Sequence, residues 1–429
     1  MLNKLSWPAN KNIQQLESLM KLFTHSCVRK RKDMSGPEKS RVTFGVLKET
    51  DDEEYRVALT PDIVTRLTRQ GITCILESGA GARAGFMDED YQQEGATVTD
   101  RDAVLSKSTV LGFVNRPDSS LLKRIPAGTW IIGMLGSLSD SDYIKSLEAA
   151  GLTGIAMERL PRQLSSAQSM DEMTSQNSVM GYKAALVAAD AYGSFFPMMT
   201  TAAGTIRPAK VLVLGAGIAG LQAIGTAKRL GAVVTAYDVR PASRQEVESL
   251  GAKFLDLGLD FSKGQGQGGY ARQLTDQEQA QQQTAVDAKA AGFDVVITTA
   301  KVPGGKPPRL LSAKGVANLH PGAVVVDCAA SDLGGNVEGS LVGTRTTDKG
   351  VIMIGAPYLA SGVATTASNL LSRNVADVLV HFLRDGALSI KADDEIDQAL
   401  VATGAAESGT GESADAPGDE KAEGKGQEQ

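Results

Sequence analysis

Three glycines, Gly215, Gly217 and Gly220, stand as G-x-G-x-x-G in the run VLVLGAGIAGLQAIGTAKRLGAVVTAYDVR, directly after an apolar strand-like segment and directly before a helical one. That spacing suits a pyrophosphate. The first glycine permits a tight turn, the second lets main chain approach the phosphates, and the third lets helix and strand pack closely. Ile218 and Ala219 open the helix, whose positive N-terminus attracts the anion. Asp238 ends the next apolar segment, about 20 residues on, where a carboxylate hydrogen-bonds ribose hydroxyls and repels a 2′-phosphate. Val239 follows, then Arg240, a residue type able to accept that same phosphate. The expected ligand is therefore NAD(H), with NADP(H) disfavoured. The competing reading is a glycine turn in an α/β protein that binds nothing.

Two further segments belong with this motif. Thr298 to Pro308, TTAKVPGGKPP, follows another apolar run, which sets Thr299 and Ala300 at the carboxyl edge of a sheet, where open α/β folds bind ligands. Phe261 to Leu274, FSKGQGQGGYARQL, is rich in glycine and carries Gly269 and Tyr270 near its end. Such a stretch suits a lid over bound cofactor; on its residues alone an ordinary surface loop reads as well or better.

Other chemistries are poorly supplied. His25, His320 and His381 are the three histidines, and Cys27, Cys74 and Cys328 the three cysteines, all widely separated, so neither a metal centre nor a disulfide framework is expected. A net charge of −6 offers no general attraction to nucleic acid. With 42% hydrophobic and 22% charged residues the composition is that of a globular protein. The apolar runs are strand-sized, well short of the roughly 20 residues that span a bilayer.

Elements able to position these residues alternate along the chain. Val42 to Leu47, Thr73 to Glu77, Thr109 to Val114, Thr129 to Met134 and Thr153 to Met157 read as strands, with helices such as Pro61 to Gln70 and Asp140 to Ala150 between them. A second series runs through Val211 to Leu214, Val233 to Tyr237, Asp294 to Thr298, Ala323 to Asp327 and Val351 to Ile354. An alanine-rich helix from Ser178 to Ala191 links the series, and Thr366 to Leu383 reads as a last helix returning to the first lobe. The fold class is α/β, two Rossmann-like domains with parallel sheets joined by long helices across a cleft. Residues 41–177, completed by 366–390, form the N-terminal domain and 178–365 the dinucleotide-binding one. Residues 1–40, with a basic cluster at Arg29 to Lys32, read as a disordered extension, with a transit peptide or a start at Met34 as further readings. Residues 391–429 read as a disordered acidic tail, poor in core formers from Gly404 onward.

Three blocks, KETDDEEYRVALTPDIV, the glycine run and QSMDEMTSQNSVMGYKAA, together resemble the alanine dehydrogenase and transhydrogenase alpha-subunit superfamily over roughly residues 41 to 386. The two branches differ in chemistry. An amino-acid dehydrogenase moves a proton as well as a hydride and needs a lysine and a histidine. Its V-K-x-P lysine falls at Asn115 in FVNRPDSS, and its histidine falls at Met134. Transfer between two stacked nicotinamide rings needs neither.

The resemblance to the transhydrogenase branch implies that Arg162, Gln168 and Asp171 are the family's loop residues near the nicotinamide. It sets Thr174 where the family has serine and matches Tyr270 to a mobile-loop tyrosine. The spacing from Arg162 to Gln168 is one residue longer than the family pattern, and Asp332 stands where that branch has glutamate, as in alanine dehydrogenases. The implied activity is hydride transfer between NADH and NADP(H) held on a partner subunit, coupled to proton translocation. The implied form is a homodimer, cytoplasmic and peripheral on the inner membrane through separate membrane-spanning and NADP-binding subunits. An alanine-type dehydrogenase and a non-catalytic NAD-binding regulator are the alternatives.

Overall fold

The computed structural model describes residues 41–259, 274–302, 305–331 and 334–403. The first sheet contains β1 (Thr43–Val46), β2 (Thr73–Glu77), β3 (Thr97–Thr99), β4 (Val110–Asn115), β5 (Trp130–Met134) and β6 (Thr153–Ala156), all parallel, in the order β3-β2-β1-β4-β5-β6. After it comes a hairpin, β7 (Met199–Thr201) and β8 (Gly204–Ile206). The second sheet has β9 (Lys210–Leu214), β10 (Val233–Tyr237), β11 (Lys253–Phe254), β12 (Val295–Thr298), β13 (Val324–Asp327), β14 (Gly343–Thr346) and β15 (Ile352–Gly355). Its order is β11-β10-β9-β12-β13-β15-β14, with the edge strand β14 antiparallel to β15.

Both sheets are covered on both faces, which is why their strands read as unbroken apolar runs. Along β9, Val211 and Val213 pack with Ala184, Ala188, Ala223 and Ala227, whereas Leu212 and Leu214 pack with Val286 and Leu311 on the other face. The return helix Ala364–Phe382 inserts Leu371, Val375 and Phe382 against Phe44 and Val46 of β1. Its serines also satisfy backbone donors of the loop after β1: Ser368 Oγ accepts from Val57 N at 3.0 Å and Ser372 Oγ from Thr60 N at 3.0 Å.

Three features depart from the sequence reading. The linking helix spans Glu172–Ala191 and starts before Ser178, because the Asp171 side chain caps it by accepting from Thr174 N. The strands β3, β11 and β14 and the hairpin are short and largely exposed, so they leave no apolar periodicity to detect. Residues 391–403 are not tail. They form the helix Glu395–Leu400 and a bridge from Val401 to Ile155 of β6, and Ile396, Leu400 and Val401 enter the first core. These three apolar residues at helical spacing outweigh the acidic composition around them. Buried Asp397 anchors the segment, accepting from Arg384 Nη1 at 2.9 Å and lying 2.6 Å from His381 Nε2. His381, Asp394 and Asp397 could share an ion by distance, but Arg384 already supplies the positive charge there.

Candidate functional site

The order of each sheet reverses at one place, between β1 and β4 in the first and between β9 and β12 in the second. Ligands of open α/β sheets bind outside the carboxyl ends of strands at such points. Here both reversals open onto one cleft of about 1550 Å³, lined by Arg56 and Asn115 from the first sheet and by Gly215 and Thr299 from the second. The linking helix walls it with Glu172, Gln176 and Met180.

The glycine turn is built as its spacing predicts. Gly215 has φ +98°, a left-handed value that a side chain resists. A Cβ on Gly220 would lie 1.8 Å from Gly215 O, so helix and strand require glycine there. At Gly217 a Cβ would meet no atom within 4 Å, so protein packing does not explain that glycine; it borders open cleft, where a phosphate needs the room. Gly217 also begins the helix Ile218–Arg229 without any side-chain cap, leaving its first N–H groups to an anion. The residues present therefore fit a bound pyrophosphate.

Asp238 is braced beside the turn. Its Oδ2 accepts from Ala216 N at 2.8 Å, and its Oδ1 accepts from Arg240 N at 2.9 Å and Arg240 Nε at 3.0 Å. Arg240 Nη2 also donates to Ala216 O at 3.1 Å. The arginine that left the cofactor choice open is thus folded onto the carboxylate and the turn, with Val239 lining the cleft between them. Opposite, Thr299 Oγ1 donates to Gly215 O at 3.0 Å, and Ala300 is clamped by buried Asn336, whose Oδ1 accepts from Ala300 N at 3.0 Å while Nδ2 donates to Ala300 O at 2.8 Å.

Of the loop residues, Arg162 and Asp171 come together. Arg162 Nε donates to Asp171 Oδ2 at 2.8 Å and Nη2 donates to Thr174 Oγ1 at 2.8 Å, so the guanidinium plane is fixed at the cleft wall. Gln168 does not join them. It is exposed on the short helix Ser165–Met170, and Gln163 is the glutamine that lines the cleft. The extra residue in the spacing displaces the expected one. Gly269, Tyr270 and Asp332 lie outside the described residues.

The floor contributed by the first sheet is absent from the sequence reading. Arg56 grips Glu54 through Nε at 2.8 Å and Nη2 at 2.6 Å, and its Nη1 donates to Gln176 Oε1 at 2.9 Å. Asn115 Nδ2 donates to Glu54 Oε2 at 3.2 Å. Burial alone would raise Glu54, but the Arg56 guanidinium and Asn115 hold it below the usual carboxylate range. Glu49 accepts from Val114 N at 2.8 Å, and burial pushes its carboxyl up to about 7. Glu172, 3% exposed, is pushed by burial up to about 8. KETDDEEYR marks a block worth noticing, yet nothing local in it says that Glu172 folds over Arg56.

Comparisons with known proteins agree with this geometry. The family profile described as "Alanine dehydrogenase/PNT, N-terminal domain" matches residues 45–180, and "Alanine dehydrogenase/PNT, C-terminal domain" matches residues 184–407. The first portion of the split NAD(P) transhydrogenase subunit alpha of Rickettsia prowazekii is 39% identical over 364 residues, covering 83% of this chain and 93% of that protein. The crystal structure of transhydrogenase from Sinorhizobium meliloti aligns with a TM-score of 0.72 at 36% identity, over 84% of this chain and 97% of that one. Alanine dehydrogenase of Mycolicibacterium smegmatis is 31% identical over 301 residues, 69% of this chain and 74% of that protein.

Proposed function

The chain belongs to the alanine dehydrogenase/PNT family, and on that premise we propose that it is the NAD(H)-binding alpha subunit of an NAD(P) transhydrogenase. The observation that carries this reading is the shared cleft: the glycine turn with Asp238 on one side faces the Arg162–Asp171–Thr174 hook on the other. Bound NADH supplies a hydride from C4 of its ring to C4 of an oxidised nicotinamide on a partner subunit, giving NAD⁺ and NADPH with no proton in the balance.

The chain's own residues have correspondingly limited tasks. The turn from Gly215 to Gly220 and the uncapped helix start hold the pyrophosphate, and Asp238 holds the adenosine ribose. Thr299 and Ala300, clamped by Asn336, border the nicotinamide half. Arg162, locked by Asp171 and Thr174, presents a fixed planar donor to that half. Proton translocation belongs to the wider assembly, and this chain contributes the NAD(H) site to it.

Two observations support the partners. Phe195, Met198 and Ile206 are exposed at and beside the β7–β8 hairpin, an apolar surface suited to a second copy of the chain in a homodimer. Val302, Leu341, Val342 and Tyr358 are exposed on the second lobe, and Val302 and Tyr358 line the cleft, which suits the NADP-binding subunit. No helix of the described residues is long and apolar enough to cross a membrane; membrane-spanning partner subunits would hold the chain at the cytoplasmic face of the inner membrane.

An amino-acid dehydrogenase is disfavoured by the floor of the cleft. Asn115 stands at the lysine position and Met134 at the histidine position, while Arg56 is already forked onto Glu54. The test of the dinucleotide site is thermal stabilisation by NADH against NADPH. A ligand at 100 times its dissociation constant stabilises the folded state by about 2.7 kcal/mol. NADH is expected to protect at lower concentration; stronger protection by NADPH would overturn the assignment.

A further inference from the structure

The cleft floor holds more acid than its hydrogen bonds require. Glu49, Glu54 and Arg56 come from the loop after β1, Asn115 from β4, Glu158 from beyond β6, and Glu172 from the first turn of the linking helix. Arg56 satisfies Glu54, and Glu158 accepts from Leu135 N, Ser137 N and Ser137 Oγ. Asp171, next to Glu172, is paired with Arg162. Glu172 is different. Its Oε2 is buried and has no hydrogen-bond partner among the described residues, although the residue lines the cleft.

Asp238 fixes the adenosine end on the β10 side of the turn, so the nicotinamide half extends the other way, past Thr299 and Ala300, toward the wall that carries Glu172, Gln176 and Met180. An oxidised nicotinamide ring is a cation, and a reduced one is neutral. We propose that the Glu172–Glu49 carboxyl cluster reads this charge, giving up a proton when NAD⁺ occupies the cleft and keeping it when NADH does. The inference rests on the assignment of the cleft to NAD(H).

Balance is simple. The ring gains one positive charge on losing hydride, and one cluster carboxyl compensates by releasing one proton to solvent. Because burial raises Glu49 to about 7 and Glu172 to about 8, this exchange occurs near neutral pH. Arg56 and Glu54 remain ionised together, and Lys301, on the opposite wall, is the cation of the second lobe that faces the cleft. Favourable pairing with the ring lowers the cluster's titration, and each pH unit of lowering is a tenfold gain in NAD⁺ affinity between the two limits.

The experiment is titration calorimetry of the full chain with NAD⁺ and with NADH from pH 6 to 9, repeated in two buffers of different ionisation enthalpy. NAD⁺ binding is expected to release protons near pH 7 to 8, and the ratio of the NAD⁺ to the NADH dissociation constant is expected to fall about tenfold across the range. Glu172→Gln, and independently Glu49→Gln, are expected to flatten that fall. If both dinucleotides bind with a pH-independent ratio, the charge-reading inference fails while the NAD(H) site stands. If neither binds, both fail. The wild-type ratio decides even where a variant does not fold.

Discussion

Asp238 and Arg240 divide one task between two side chains. The carboxylate is held by Ala216 N and Arg240 at the edge of the glycine turn, ready for ribose hydroxyls, and the guanidinium is engaged by the carboxylate. Asp238→Asn removes the charge that repels a 2′-phosphate and weakens the bonds to ribose. NADH affinity is expected to fall about 10- to 100-fold, with a smaller fall for NADPH, in fluorescence titrations. Arg162→Lys keeps the charge but loses the fork shared by Asp171 and Thr174, so hydride exchange is expected to slow about tenfold while NADH affinity changes much less. Glu172 carries a stability signature. Its folded carboxyl titrates at about 8, above its unfolded value, so the folded state binds the extra proton and loses stability as pH rises toward 8. Glu172→Gln is therefore expected to raise the melting temperature more at pH 8.5 than at pH 5.5, as thermal melts at the two pH values would register. At this scale the glycines and Asp238 are legible in the sequence because the turn is contiguous. Glu172 over Arg56 is not, since that pair exists only after the linking helix has packed on the first lobe, and Gln168 is misplaced because one inserted residue rotates a short helix.

The linking helix is the element on which the site depends. Gly181 lies where this helix crosses Ile218–Arg229, and a Cβ there would sit 2.0 Å from Ala219 O, in the first turn of the phosphate-binding helix. Gly181→Ala must push the two helices apart. A loss of about 1–3 kcal/mol in chemical denaturation is expected, together with weaker NADH binding, because the displaced atoms belong to the turn itself. Buried parallel strands such as Val295–Thr298 declare themselves as apolar runs, and their positions are legible to within a residue or so. Gly343–Thr346 is exposed along its whole length and joins the sheet through backbone pairing alone, so no side-chain pattern reveals it. The helix Glu395–Leu400 hides behind its acidic neighbours for the related reason that three apolar residues suffice to dock it.

Across the whole molecule, two sheets of the same winding turn their reversal points toward each other, and the return helix ties the first lobe to the chain that has passed through the second. That architecture is legible in the alternation of strand and helix. The facing of the two reversal points is not, since it depends on how the linking and return helices pack. The exposed hairpin carries the expected homodimer, so Ile206→Glu is expected to shift the chain toward monomer in light scattering while leaving the fold intact. The most direct measurement mixes this chain, NADH, and the NADP-binding transhydrogenase subunit carrying an oxidised NADP⁺ analogue, and follows the analogue's reduction. Reduction that requires both polypeptides and no ammonia or 2-oxo acid is the predicted result. NADH oxidation by this chain alone, driven by ammonia and a 2-oxo acid, with no transfer to the analogue, would contradict it.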